Sequence, residues 1–295
     1  MPVLVPTSLD GVFDALASLP GAEMIAGGTD FMVEVNYARR RPRAIVSLRG
    51  VRELKGWRRE GGDVVLGAGL SYAELMRPEL SVLLPGLSQA ARTVGSPQIR
   101  NAGTLGGNLG TASPAGDTLP VLSALDAKVV IGRSGGRREL SVAQLIVGPK
   151  RSCLQEGEVI VEIRLPAGLG SQEFLKVGTR NAMVIAVANA ALVVDWVGRS
   201  VRCALGSVGP VILRASAAEE FAATAIDWDE RRLRGGERDL EQFSALVREA
   251  ARPIDDHRST ARYRCHAAGV CARRALERVL AKRAGDRAEE VPWES

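Results

Sequence analysis

Apolar positions in the first half of the chain switch repeatedly between helical and extended spacing. Leu9, Phe13, Leu16 and Leu19 follow Ser8 at intervals of three and four, which predicts a short helix capped by the serine and stopped at Pro20-Gly21. Met24-Ile25-Ala26 reads as a buried strand that breaks at Gly27-Gly28-Thr29-Asp30, after which helical spacing resumes over 31–39. Strands are expected at 44–48 and 64–66, and Ser71-x-x-Glu74 has the form of a capping box opening a helix. A helical pattern over 84–93 leads into 101-NAGTLGGNLGTASPAGD-117, which reads as an irregular glycine-rich loop. A helix at 117–125, a hairpin from 128–131 to 137–140 through Ser134-Gly135-Gly136, and a strand over 159–165 stopped by Pro166 complete this half.

A Pro/Gly-rich stretch at 167–171 suggests a domain boundary. Beyond it, 183–194 and 201–208 flank Gly198-Arg199-Ser200 as a long hairpin, followed by helical stretches at 216–223, 239–251 and 259–284. Strands grouped before helices imply an α+β layout, not a regular βαβ repeat. The apolar run 182–194 is interrupted by Asn189 and is too short to span a bilayer. The N-terminus lacks the basic stretch and apolar core of a secretory signal, so a cytoplasmic location is expected.

With 295 residues, 46% of them hydrophobic, the chain can bury one large or two ordinary cores. Its 4 cysteines form no C-x-x-C pair, which argues for reduced thiols and against an iron–sulfur or zinc site on this chain. His257, Cys265, His266 and Cys271 cluster without ligand spacing and suit packing on a helix face. The net charge of +5 does not imply a nucleic-acid surface: the late arginines alternate with Glu237, Asp239, Glu249, Asp255, Asp256 and Glu277, and aromatic residues are only 4%.

The glycines are not those of G-x-G-x-x-G or a P-loop. Bare backbone also lets successive amides turn inward as an anion nest, to which Thr, Ser and Asn side chains add hydrogen bonds. Two such segments, Ala26-Gly27-Gly28-Thr29-Asp30 and Thr104-Leu105-Gly106-Gly107-Asn108, would clamp the two phosphates of a dinucleotide from both sides; otherwise the first is a tight strand-to-helix turn and the second a surface loop. Asp117 is either the N-cap of the helix starting at Thr118 or an acceptor for a ligand hydroxyl.

The segments "AGGTDF" and "GTLGGNLGTASPAGDTLPVLSALDAKV", with "VGSPQIRNAGTLGGN", "FLKVGTRNAMVIAVANAAL" and "IDDHRSTARYRCHAAGVCARRAL", strongly resemble the FAD-binding medium subunit of the molybdenum hydroxylases. The wording is closest to xanthine dehydrogenase-type bacterial subunits, with carbon monoxide, aldehyde and N-heterocycle branches sharing most of it. The resemblance implies a two-lobed FAD-binding domain of the vanillyl-alcohol oxidase and MurB type over 1–168, with its lobes divided near 50–60. It also implies a smaller α+β domain of antiparallel sheet plus helices over 172–285, and a tail at 286–295.

By the same resemblance FAD is held by Met24, Ile25, Ala26, Gly27, Gly28, Thr29, Asp30 and Phe31 from one lobe, and by Thr104, Leu105, Gly106, Gly107 and Asn108 from the other. Thr111 and Ser113 belong to the same T-x-G-G-N-x-x-T-A-S-P-x-x-D motif, and Asp117 matches a position binding the ribityl or ribose part. Ile160 and Lys176 match positions beside the flavin ring, where a lysine near N1/C2 would stabilise the anionic reduced flavin. The cofactor would do the redox chemistry, so no catalytic side chain is expected.

The implied assembly is a dimer of heterotrimers with a small [2Fe-2S] subunit and a large molybdopterin subunit, passing electrons to NAD+ or another acceptor. Many relatives carry an aspartate where this chain has 183-Met-Val-Ile-Ala-186, a departure that bears on the acceptor. Two other readings are a stand-alone flavoprotein oxidoreductase, whose substrate-facing group would be sought at Tyr37, Tyr72 or Tyr263, and a non-enzymatic nucleotide-binding assembly subunit.

Overall fold

Three principal sheets organise residues 1–166 and 170–281, the residues described by the computed structural model. The first is small and parallel: β1 (Val3–Leu4), α1 (Leu9–Ser18), β2 (Glu23–Ile25), α2 (Phe31–Asn36) and β3 (Ile45–Ser47) fold so that β3 lies between β1 and β2. The α1 cap is as expected, since Ser8 Oγ accepts from the Gly11 amide at 3.2 Å, and Leu9, Val12 and Ala15 turn inward.

The second sheet is antiparallel. It opens with β4 (Trp57–Glu60) and β5 (Asp63–Gly67), after which the chain makes α3 (Tyr72–Leu75), α4 (Pro78–Leu83), α5 (Pro85–Thr93), α6 (Pro97–Ala102), α7 (Leu105–Thr111) and α8 (Thr118–Ala124). Then come β6 (Lys128–Arg133), β7 (Gly136–Ser141), α9 (Val142–Leu145), the short β8 (Ile146–Gly148) and β9 (Arg151–Ser152), and β10 (Val159–Leu165), giving the order β4-β5-β10-β6-β7. The capping box at Ser71 and Glu74 is formed.

The third sheet runs β11 (Ser171–Val177), β12 (Ala188–Asp195), β13 (Ser200–Gly206) and β14 (Leu213–Arg214), all antiparallel. Helix α10 (Ser216–Ala225), a small hairpin of β15 (Ile226–Asp227) and β16 (Arg232–Leu233), α11 (Glu237–Ala250) and α12 (Ala261–Ala281) follow. Helices α10 and α12 cover one face of this sheet and α5 and α8 of the preceding domain pack on the other. β12 is therefore apolar at nearly every position: Ala188, Ala190, Leu192 and Val194 join one core, Ala191 and Val193 the other.

The structure departs from the sequence expectation at several points. The glycine-rich stretch is mostly helical, because Thr104 caps α7 and the buried Leu105 and Leu109 anchor it despite its glycines. The helix expected over 31–39 stops at Asn36, and Ala38 is left-handed at φ 54°. The strand expected from 183 starts at Ala188, because Met183 is left-handed at φ 51°. β11 had no sequence expectation. Residues 167–169 of the expected linker, 282–285 and the tail at 286–295 lie outside the described residues.

A buried arginine fastens α12 to the third sheet. Arg264 donates to the carbonyls of Val187 (3.1 Å) and Ser207 (2.9 Å) and pairs with Asp256 at 2.6 Å. Although burial works against its charge, Asp256 accepts from the Arg258 amide, Arg264 and the Ser259 amide, which together hold its carboxyl down at about 2. The folded value lies below the unfolded one, so this stabilisation is present above about pH 4 and is lost as the pH falls towards about 2. Asp256→Asn is expected to flatten the loss of thermal stability across that interval; an unchanged acid profile counts against the assignment.

Candidate cofactor site

The first glycine segment leaves β2 and turns into α2 with its backbone amides unspent. Gly28 is left-handed at φ +74°, which a side chain would strain. Among the described residues, the amides of Gly27, Gly28, Thr29 and Asp30 donate to no protein atom. Met24 and Ile25 lead in from β2, and Phe31 is buried at the start of α2 beneath the Arg40 guanidinium, 4.5 Å from its ring centroid. Asp30, at the N-cap position of α2, makes no side-chain cap. These four amides have the form of the expected anion nest.

The second segment works differently from its expected form. The Leu105 amide donates to Leu70 O (2.9 Å), Gly106 to Ala68 O (2.8 Å), Gly107 to Thr104 Oγ1 (3.0 Å) and Asn108 to Thr104 O (3.0 Å). Its amides are consumed inside the protein, so this segment is not a second nest. Its glycines serve close approach instead. A Cβ on Gly106 would lie 2.7 Å from Ala68 Cβ; on Gly107 it would press on the capping Thr104 Oγ1 at 2.8 Å and face Ala26 Cβ at 3.8 Å, and on Gly110, three residues further along α7, it would meet only Ile160 Cδ1 at 4.0 Å. A strip of bare helix backbone thus runs between the first glycine segment and β10.

The first segment touches the end of α6, just ahead of the second, through backbone. A Cβ on Gly27 would sit 2.0 Å from the Ala102 carbonyl oxygen and 2.8 Å from Gly103 Cα. Asn108 is tied to α8 by accepting from Thr118 Oγ1 at 2.6 Å, and Ser113 Oγ accepts from the Ala115 amide at 3.3 Å. Thr111 ends α7, just before the left-handed Ala112.

Beyond this strip lies a buried ion pair that joins the domains. Lys176, on β11, meets Asp117 Oδ2 at 2.5 Å, with side chains 7% and 6% exposed. Lys176 also donates to Thr93 O (3.1 Å); Asn189 Nδ2 donates to Asp117 Oδ1 (3.1 Å), and the single Thr93 hydroxyl proton is shared between Ala90 O (2.8 Å) and Asp117 Oδ2 (3.2 Å). Burial pushes the Asp117 carboxyl up, against the pull of Lys176, Asn189 and Thr93. Asp117 makes no N-cap hydrogen bond to α8, which removes one of its two expected readings. Its partners Thr93 and Asn189 were not expected. The one signal for Asn189 in the sequence was its interruption of an apolar run.

Matches to known proteins cover most of the chain. Residues 1–168 match the model of the FAD binding domain in molybdopterin dehydrogenase, and residues 173–279 that of the CO dehydrogenase flavoprotein C-terminal domain. The chain belongs to the FAD-binding subunits of the molybdenum hydroxylases. This medium subunit is 31% identical to the carbon monoxide dehydrogenase medium chain of Hydrogenophaga pseudoflava, over 88% of this chain and 90% of that one. It is 31% identical to the nicotinate dehydrogenase FAD-subunit of Eubacterium barkeri, over 73% and 76%. Reconstituted CO dehydrogenase from Oligotropha carboxidovorans has a chain of the same fold, with TM-score 0.85 at 28% identity, covering 96% of this chain and 98% of that one. Equal identity to a carbon monoxide and a nicotinate relative does not separate the branches.

The residues fit FAD. Four free amides suit a diphosphate, the side-chain-free strip of α7 admits a flat or extended group, and Ile160, buried on β10, supplies an apolar neighbour. Lys176 has spent two of its three N–H groups, and among the described residues the third meets no acceptor. No described helix is long and apolar enough to cross a membrane.

Proposed function

We propose that this medium subunit is the electron-transfer flavoprotein of a multi-subunit molybdenum hydroxylase, passing electrons from iron–sulfur clusters to NAD+ or another acceptor. The observation that carries the reading is the meeting of the unspent amides of Gly27 to Asp30 with the bare strip of α7. In this reading the amides hold the FAD diphosphate, Asn108, Thr111 and Ser113 flank it, Ile160 packs beside the ring, and Lys176 faces the ring held by Asp117. When bound, FAD supplies two-electron redox chemistry. The chain's own part is to bind, orient and bias it electrostatically.

The relatives are named as a medium chain and an FAD-subunit, which supports placing the other centres, [2Fe-2S] clusters and molybdopterin, on separate chains.

The side chains favour this over a flavoprotein acting alone. Tyr37 and Tyr263 are exposed at 72% and 49%. Tyr72 is buried against Gly103, and burial followed by the charges of Asp117 and Asp30 pushes its phenol up, so it stays protonated and is no base. Purification tests the point: a yellow chain copurifying with iron–sulfur and molybdenum chains supports the proposal, and a yellow chain turning over substrate alone refutes it. Gly107→Asp places an anion facing Ala26 and is expected to lose bound FAD, with Gly107→Ala, which presses equally on Thr104 Oγ1 but carries no charge, losing less. Full flavin absorbance in Gly107→Asp counts against the diphosphate assignment.

A further inference from the structure

In β12, buried on both faces and otherwise apolar through Val194, Asn189 is the exception and is fully buried. A buried carboxamide is retained against its desolvation only where its hydrogen bonds do something apolar packing cannot. Across the sheet, Lys176 on β11 pairs with Asn189, and Asn189 with Gly206 on β13, so the three stand in one row. That row lies under the Asp117 carboxylate.

The two oxygens of Asp117 are divided between its partners. Asn189 Nδ2 takes Oδ1 at 3.1 Å, leaving Oδ2 to Lys176 at 2.5 Å and Thr93 at 3.2 Å. The carboxylate fixes which end of the carboxamide faces it, since only the Nδ2 end donates. The other end, Oδ1, is buried without a partner. A Cβ at position 206 would lie 2.3 Å from that oxygen, so glycine there leaves the room in which Asn189 takes this pose.

We infer that Asn189, seated by Gly206, is a positioning residue for the Lys176–Asp117 pair; its bearing on the cofactor rests on the FAD reading above. By occupying Oδ1, Asn189 keeps Asp117 from turning both oxygens onto Lys176. The ammonium then meets the carboxylate through one oxygen and keeps its third N–H for a ligand carbonyl.

Asn189→Leu, made in the native chain and in an Asp117→Leu/Lys176→Met background, tests this by thermal unfolding. A drop in Tm in the native chain that is lost in the pair-deleted background supports the inference, because Asn189 then acts through Asp117. An equal drop in both backgrounds overturns it, as a purely packing role predicts. Asn189→Ala decides the matter in the same comparison if Asn189→Leu does not fold. With FAD bound, Asn189→Leu is also expected to move the flavin midpoint potential in the same direction as Lys176→Ala, and an unmoved potential overturns the inference. A native chain that binds no FAD sinks the cofactor reading alone, since the unfolding comparison stands without it.

Discussion

Lys176→Ala is expected to destabilise the chain by about 3–5 kcal/mol, because it leaves the Asp117 carboxylate buried without its cation. The pair is almost wholly withdrawn from water, and its two members come from different domains. Loss of the ammonium leaves Asp117 with only the neutral donors Thr93 and Asn189. Replacing both members with apolar residues of similar size, as in Asp117→Leu/Lys176→Met, is expected to recover much of that loss, since no uncompensated charge then remains. Denaturant unfolding of the three variants measures this. A Lys176→Ala variant within about 1 kcal/mol of native would show that the pair has the weight of an exposed one. In Lys176→Ala that still binds FAD, the flavin potential is expected to become more negative, since the cation favouring the reduced anion is gone.

Gly27→Ala is the second large effect. The new methyl would stand 2.0 Å from the Ala102 carbonyl oxygen and 2.7 Å from its carbon, and these are backbone atoms that no rotamer change can move aside. Overpacking of this kind costs about 1–3 kcal/mol when side chains can adjust. Here the strain falls where the first glycine segment meets the end of α6, so relief requires the two segments to separate. FAD affinity should therefore fall more than global stability does, read as loss of bound flavin from a variant that still unfolds cooperatively. Gly28→Ala makes the contrast: its Cβ would meet flexible side chains, Ile25 at 3.1 Å and Met32 at 3.6 Å, and its main penalty comes from the left-handed φ of +74°, about 1–2 kcal/mol. Equal FAD retention in the two variants would count against the backbone contact as the feature that assembles the site.

What the chain's own pattern determined was local. The Ser8 cap, the Ser71–Glu74 box and the β6–β7 hairpin each rest on residues within a few positions of one another, and each was legible for that reason. The glycine segments were legible as unusual backbone, and their wording as that of a family. Only the tertiary structure decided how they act: α7 is a helix because Leu105 and Leu109 find a core, and its amides face Leu70 and Ala68, which no local spacing foretells. Asp117 likewise had a local reading as a cap and a ligand reading as an acceptor. Its actual partners, Lys176 and Asn189, lie 59 and 72 residues away. A carboxylate binds whichever donors the fold brings to it once water is excluded, and Asn189, which in the sequence merely interrupts an apolar run, is one of them.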